Sequence, residues 1–169
     1  MKNEKIRLYL HLLLLAVASF ALYWQALGHD FLINWDDRQY VLDNPVIRGV
    51  TLQHLKAAFT SFYIGNYAPL HLISYMIDYD LWGMRPAGFI FTNILFHTLN
   101  GILFYMLLRR IAGERVWTLP AALFFLLHPL QVESVVWVAQ RKNLLAMFFF
   151  LAAVHLYISY KERARGERS

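Results

Sequence analysis

The sequence predicts an all-α integral membrane protein with about four transmembrane helices and a long outward loop carrying amphipathic interfacial helices. Three observations lead there. Of the 169 residues, 59% are hydrophobic and 17% aromatic, with a mean hydropathy of +0.40, above the roughly half-apolar composition of soluble domains. Several long runs carry no charge. The charges that remain sort to alternate ends of those runs.

Leu8–Gly28 contains no Asp, Glu, Lys or Arg over 21 residues. At about 1.5 Å per residue this crosses a hydrocarbon core of about 30 Å. Pro86–Leu108 is a second such run of 23 residues and Asn143–Tyr160 a third of 18. Val116–Leu127 is shorter, apolar apart from Thr118 and Pro120, and is a fourth span only if its neighbours extend it or it stops short of the far surface. The expected spans are therefore 8–28, 86–108, 114–128 and 143–160. They belong to one membrane module over 1–160, with an outward loop over 29–85 and a charged, frayed cytoplasmic tail over 161–169. Tyr23 and Trp24 close the first run as an interfacial anchor. That run is too long for the apolar core of a signal peptide and lacks a small-residue cleavage site.

Lys2, Lys5 and Arg7 precede the first span; Arg109, Arg110 and Arg115 lie between the second and third; Lys161, Arg163, Arg165 and Arg168 follow the fourth. These ten of the sixteen basic residues fall on one side, and the positive-inside rule makes that side the cytoplasm. Seven of the eleven acids, Asp30, Asp36, Asp37, Asp43, Asp78, Asp80 and Glu133, fall on the other. The net charge of +5 is thus a topology signal, and nucleic acid is not an expected partner. The expected location is the plasma (inner) membrane, with both termini cytoplasmic. Without cysteine, disulfides and thiolate metal sites are excluded.

The outward loop is rich in aromatic residues and is expected to fold onto the membrane surface. Thr51 is placed to cap a helix over Leu52–Phe62. Gly65-Asn66 breaks the chain, and Pro69 opens a second helix with Leu70, Ile73, Ile77 and Leu81 on one stripe. Asp78 and Asp80 make this second helix too polar to span, so it should lie in the interface or dip partly inward.

Two outward clusters carry the candidate chemistry. Asn34-Trp35-Asp36-Asp37-Arg38 places paired carboxylates beside the lipid surface. They read either as a general base for an acceptor hydroxyl or as a helix cap or Asx turn. In the second cluster, a helix over Val132–Asn143 would put Glu133, Trp137 and Gln140 or Arg141 on one face. Arg141 and Lys142 at headgroup depth could hold a lipid phosphate, the first as a planar fork and the second as a point charge, or could simply snorkel. Asn93, His97 and Asn100 form a polar stripe on the second span, expected to pack helices. The outward acids could hold a divalent ion, although no spacing demands one.

The order of the pieces carries a resemblance. A span, then NWDD, VLDNPVIRG, YAPLHLISYMIDYDLWGMRPAGFIFTNILFHTLNGILFYMLLRRI and ALFFLLHPLQVESVVWVAQRKNLLAMFFFL resemble, from about Leu12 to Tyr160, the N-terminal part of GT-C class membrane glycosyltransferases. In particular they resemble O-mannosyltransferase-like proteins whose membrane half precedes tetratricopeptide repeats. The resemblance implies a catalytic acid at Asp36 or Asp37, a second-loop acid at Glu133, and Arg141 and Lys142 near the phosphate of a polyprenyl-phosphate sugar donor. It further implies inverting transfer to a hydroxyl of a protein or glycan acceptor on the outer face. Gln131 stands where that pattern has His, and Asn143 where it has Asp; an Asn cannot act as a base. The chain shows four spans and no repeats, so it is expected to be a fragment or a subunit whose fold another membrane chain completes. A second class of function is a non-catalytic membrane subunit that binds a partner or a polyprenyl lipid.

Overall fold

The computed structural model describes residues 2–166 and the side chains of residues 3–164. Arg168, and the side chains of Lys2 and Arg165, lie outside the described residues. Helix α1 (Lys2–Tyr23) continues as a 3₁₀ turn over Trp24–Gly28. Helix α4 (Pro86–Ala112) begins with proline at its first turn, where the missing N–H costs nothing, and ends at Gly113, whose φ of +73° suits glycine. Helix α7 (Arg141–Gly166) runs into the tail, so the stretch expected to fray begins as helix. Among the described residues three segments are long and apolar enough to cross a membrane: Asn3–Gly28, Pro86–Ala112 and Val138–Ala164.

The expected continuous span over 114–128 is instead the first half of a broken return. Helix α5 (Thr118–Leu127) has 10 residues, about 15 Å. His128–Leu130 interrupts it, with Pro129 unable to donate to a continuing helix. Helix α6 (Gln131–Val136) follows, Trp137 is extended, and a 3₁₀ turn over Val138–Gln140 leads into α7. The helix expected over 132–143 is therefore split at Trp137.

Broken backbone at membrane depth persists only where protein groups satisfy it, and the polar stripe of α4 does so. His97 Nε2 donates to the Leu126 carbonyl at 2.9 Å, at the end of α5. Asn93 Nδ2 donates to the carbonyls of Val135 at 3.1 Å and Trp137 at 3.4 Å. Asn100 Nδ2 donates to Leu144 at 2.9 Å. The stripe packs helices, as its spacing predicts: His97 and Asn93 take carbonyls where the chain leaves helical geometry, and Asn100 reaches one inside the first turn of α7.

The outward loop is part of the same body. Thr51 Oγ1 accepts from His54 N at 3.1 Å and starts helix α2 (Leu52–Thr60). Helix α3 (Pro69–Trp82) starts at its proline and stops at Gly83, with φ +64°. Three members of its apolar stripe face outward, Leu70 at 48% exposed, Ile77 at 47% and Leu81 at 67%, while the fourth, Ile73, packs partly buried against the core. The buried face instead carries His71, Ser74, Tyr75 and Asp78. An exposed apolar stripe, with polar groups turned toward protein partners, is the arrangement expected of an interfacial helix. Tyr40, Val41, Ile47, Leu72, Tyr75 and Met76 of the loop share one core with Phe89, Ile90 and Ile94 of α4 and Val135 and Val138 of the return segment.

At Gly101 of α4, Leu126 of α5 packs directly on the backbone. A Cβ there would meet Leu126 at 2.4 Å, and Leu126 is fully buried with no space to yield. Gly101→Ala is expected to cost about 1–3 kcal/mol, read as a lower thermal midpoint in detergent. Gly28→Ala, with nothing within 4 Å, should leave the midpoint in place.

Candidate functional site

The structure brings the two outward clusters to one end of the bundle and assigns their members very different surroundings. Asp37 is 1% exposed. Its Oδ1 accepts from Ala139 N at 2.7 Å and its Oδ2 from Leu32 N at 3.0 Å. It ties the first loop to the turn before α7 and is neither a surface carboxylate nor an Asx turn. Burial raises its pKa from the ordinary value, and the two backbone N–H groups partly oppose the shift. Asp36 is half-buried and takes part in no hydrogen bond or ion pair among the described residues. It is the adjacent carboxylate that keeps its lone pairs available.

Arg141 is enclosed by protein. It is 0% exposed, at the first position of α7. Nε donates to Asn93 Oδ1 at 2.7 Å, Nη1 to Ser74 Oγ at 3.1 Å, and Nη2 to the Phe89 carbonyl at 2.8 Å. Asp78 Oδ2 lies 2.5 Å from Nη2, off the line of its N–H bonds, and the Tyr75 ring covers the guanidinium with its centroid 4.6 Å away. Thr92 Oγ1 donates to the other Asp78 oxygen at 2.7 Å. Burial pushes the Asp78 carboxyl up, while Arg141 and Thr92 pull it back. With its donors turned to protein acceptors on α3 and α4, Arg141 has no face left for a lipid phosphate.

Lys142, one residue on, points elsewhere. It has no carboxylate partner among the described residues, and its Nζ lies 6.0 Å from the Tyr40 ring centroid. It lines a cavity of about 330 Å³ with Pro69, Leu70, His71, Leu145, Ala146 and Phe149. This is a cation without a carboxylate partner, on a mostly apolar wall.

Glu133 is exposed on α6 and lines a separate groove of about 510 Å³ with His29, Asp30, Leu32, Trp35, Val136 and Trp137. The Trp35 and Trp137 rings meet edge to face at 5.3 Å. Gln140 Nε2 donates to Glu133 Oε1 at 3.4 Å, so these two meet as expected although the helix between them is broken. Asn143 Nδ2 donates to Gln140 Oε1 at 3.1 Å and to Ser134 Oγ at 3.4 Å. Gln131 and Asn143, the two departures from the resembled pattern, line one small cavity of about 200 Å³. Among the described residues no three His, Asp or Glu side chains converge on a possible metal position.

Sequence reasoning missed Asp78, His71 and Tyr75. Asp78 is read there only as a polarity mark, although a carboxylate amid apolar helix signals a buried cationic partner. His71 Nε2 contacts Tyr75 Oη at 2.6 Å, and Tyr75 Oη donates to the Val138 carbonyl at 2.7 Å. The imidazole is therefore the neutral Nε2–H tautomer.

No family model matches the chain, and no solved structure does. Curated relatives do. Protein O-mannosyl-transferase TMTC3 of Mus musculus is 30% identical over 151 residues, 83% of this chain and 16% of that protein. Protein O-mannosyl-transferase TMTC1 of Mus musculus is 30% identical over 160 residues, 88% of this chain and 16% of that protein. Protein O-mannosyl-transferase Tmtc1 of Drosophila melanogaster is 27% identical over 151 residues, 85% and 17% respectively.

Burial, with the nearby charges of Arg141 and Lys142, lowers the His71 pKa from 6.5 to about 3. The unfolded chain takes up this proton as pH falls below 6.5 and the folded chain does not. The stability tied to neutral His71 is thus complete above 6.5 and is lost progressively toward pH 3. Between neutral pH and about pH 5, wild type should lose roughly 2 kcal/mol more than His71→Gln, measured as thermal midpoints across pH. The chain is homologous, over most of its own length, to proteins named protein O-mannosyl-transferases, of which it spans about one sixth in TMTC3.

Proposed function

We propose that this chain forms part of a GT-C type membrane glycosyltransferase that moves a mannosyl residue from a polyprenyl-phosphate donor to a hydroxyl of a protein or glycan acceptor at the outer face of the membrane. The relatives' names support sugar transfer. The observation that carries the donor class is Lys142, an uncompensated cation on an apolar cavity wall. A phosphate set against the ammonium would leave the prenyl chain along Leu145, Ala146 and Phe149.

In this reading Asp36, or Glu133 across the Trp35–Trp137 contact, takes the acceptor's proton as general base. The acceptor oxygen forms its bond to the anomeric carbon as the bond to the phosphate oxygen breaks. The lipid phosphate leaves with the electron pair, and configuration inverts. Lys142 offsets the negative charge that develops on the leaving phosphate. Asp37 and Arg141 position this machinery: Asp37 fixes the loop that bears Asp36, and Arg141 fixes the start of α7 that bears Lys142.

Donor binding and transfer test the two halves separately. Lys142→Gln should weaken polyprenyl-phosphate binding about tenfold, with the thermal midpoint unchanged. Asp36→Asn should leave that binding intact and lower sugar transfer at least about a hundredfold in membranes where the wild-type chain supports it. Equal donor binding by wild type and Lys142→Gln would remove the basis for the donor assignment. Full transfer by Asp36→Asn would remove the base assignment.

A further inference from the structure

At the end of the bundle opposite the Glu133 groove, a second cavity of about 500 Å³ opens between the start of α1, the end of α4 and the start of α5. Arg7, Arg109 and Arg115 line it with a single acid, Glu114. The carboxylate of Glu114 is shared between Arg7 and Arg109. Arg115 has no acid at all among the described residues; its Nε donates to the Ala112 carbonyl at 3.2 Å, which leaves its terminal nitrogens free. Three guanidinium groups thus face one carboxylate. Arg110, on the neighbouring face of α4, differs in having its own partner, with Nε 3.1 Å and Nη2 2.5 Å from the two oxygens of Glu162.

The floor of the cavity is preformed. Tyr105 is buried and meets His11 Nδ1 at 2.5 Å. Its rim is apolar: Val116 is almost fully exposed beside Arg115. Glu114 already occupies the position of an oxyanion between two arginines, which shows that the arrangement accommodates one. A carboxylate carries one negative charge where the site offers three positive ones. A phosphate group has the geometry for two guanidinium forks at once.

We propose that this cavity binds a phosphate group, with Arg115 and Arg109 as its direct ligands and Glu114 as an internal competitor that yields as the phosphate enters. The apolar rim points to the phosphodiester headgroup of an anionic phospholipid in the leaflet that meets this end of the bundle. Free phosphate shares the recognition chemistry. The inference does not depend on the sugar-transfer reading, since its residues lie on other helix ends and its readout involves no polyprenyl lipid.

The test uses the full chain in micelles containing phosphatidylglycerol and phosphatidylcholine, with retained lipid counted by native mass spectrometry. Wild type should retain phosphatidylglycerol preferentially. Arg115→Gln should reduce that preference about fivefold, and Glu114→Gln should raise it by a similar factor by releasing Arg7 and Arg109. Damage to the fold would move both variants the same way, so opposite shifts identify a site. In a second arm, inorganic phosphate alone is added. Displacement of lipid from wild type supports a phosphate site that takes the soluble anion, and retention supports the headgroup as the ligand. Absence of any preference for phosphatidylglycerol, or a preference that both variants leave unchanged, overturns the proposal.

Discussion

Arg141 is a fully buried cation, and the rest of its end of the bundle is arranged around that fact. An unpaired guanidinium at this depth would cost several kcal/mol. The structure meets the cost with one counter-ion and three hydrogen-bond acceptors drawn from two other helices: Asp78 and Ser74 of α3, and Asn93 and the Phe89 carbonyl of α4. Because Arg141 is the first residue of α7, these bonds fix where α7 begins. They also draw α3, part of a loop that the sequence places outside the membrane, against the bundle with its polar face inward.

The same logic explains the broken return between α4 and α7. A chain that leaves helical geometry at Leu127, and again at Trp137, exposes carbonyls that lipid cannot satisfy. His97 and Asn93 take them one after another, and Asn100 adds the Leu144 carbonyl. In exchange, the break lets Glu133 reach the surface groove while Arg141 turns inward, which a continuous helix would forbid. It also separates neighbours in sequence: Asp37 and Arg141 are spent on structure, whereas Asp36 and Lys142 stay available for chemistry.

Much of this was legible in the sequence. The three long spans, the capping Thr51, the proline-initiated α3 and the sorting of charge between ends follow from local pattern, and the structure keeps them. The polar stripe on α4 was legible as a packing device, though not its backbone targets, since these depend on breaks elsewhere in the chain. The face expected to join Glu133 to Arg141 failed for the same reason: helical periodicity cannot register a kink that only a distant Asn93 makes tolerable. The stripe of α3 was legible, but not the partners of its polar face, which lie on α4 and α7. The pairing of Asp78 with Arg141, 63 positions apart, leaves no local trace beyond the oddity of each charge in its apolar context. The relation to O-mannosyl-transferases was carried by the order of motifs over the whole chain.

That Arg141 and Asp78 form one unit, on which the outward end is assembled, is tested most directly by a double-mutant cycle on thermal stability in detergent. Arg141→Met and Asp78→Leu should each cost about 3–5 kcal/mol, because each leaves a buried charge without its partner. Together they should cost clearly less than their sum, with a coupling of at least about 1.5 kcal/mol. Additive losses, with coupling near zero, would show that the two charges are stabilised independently and would contradict the account.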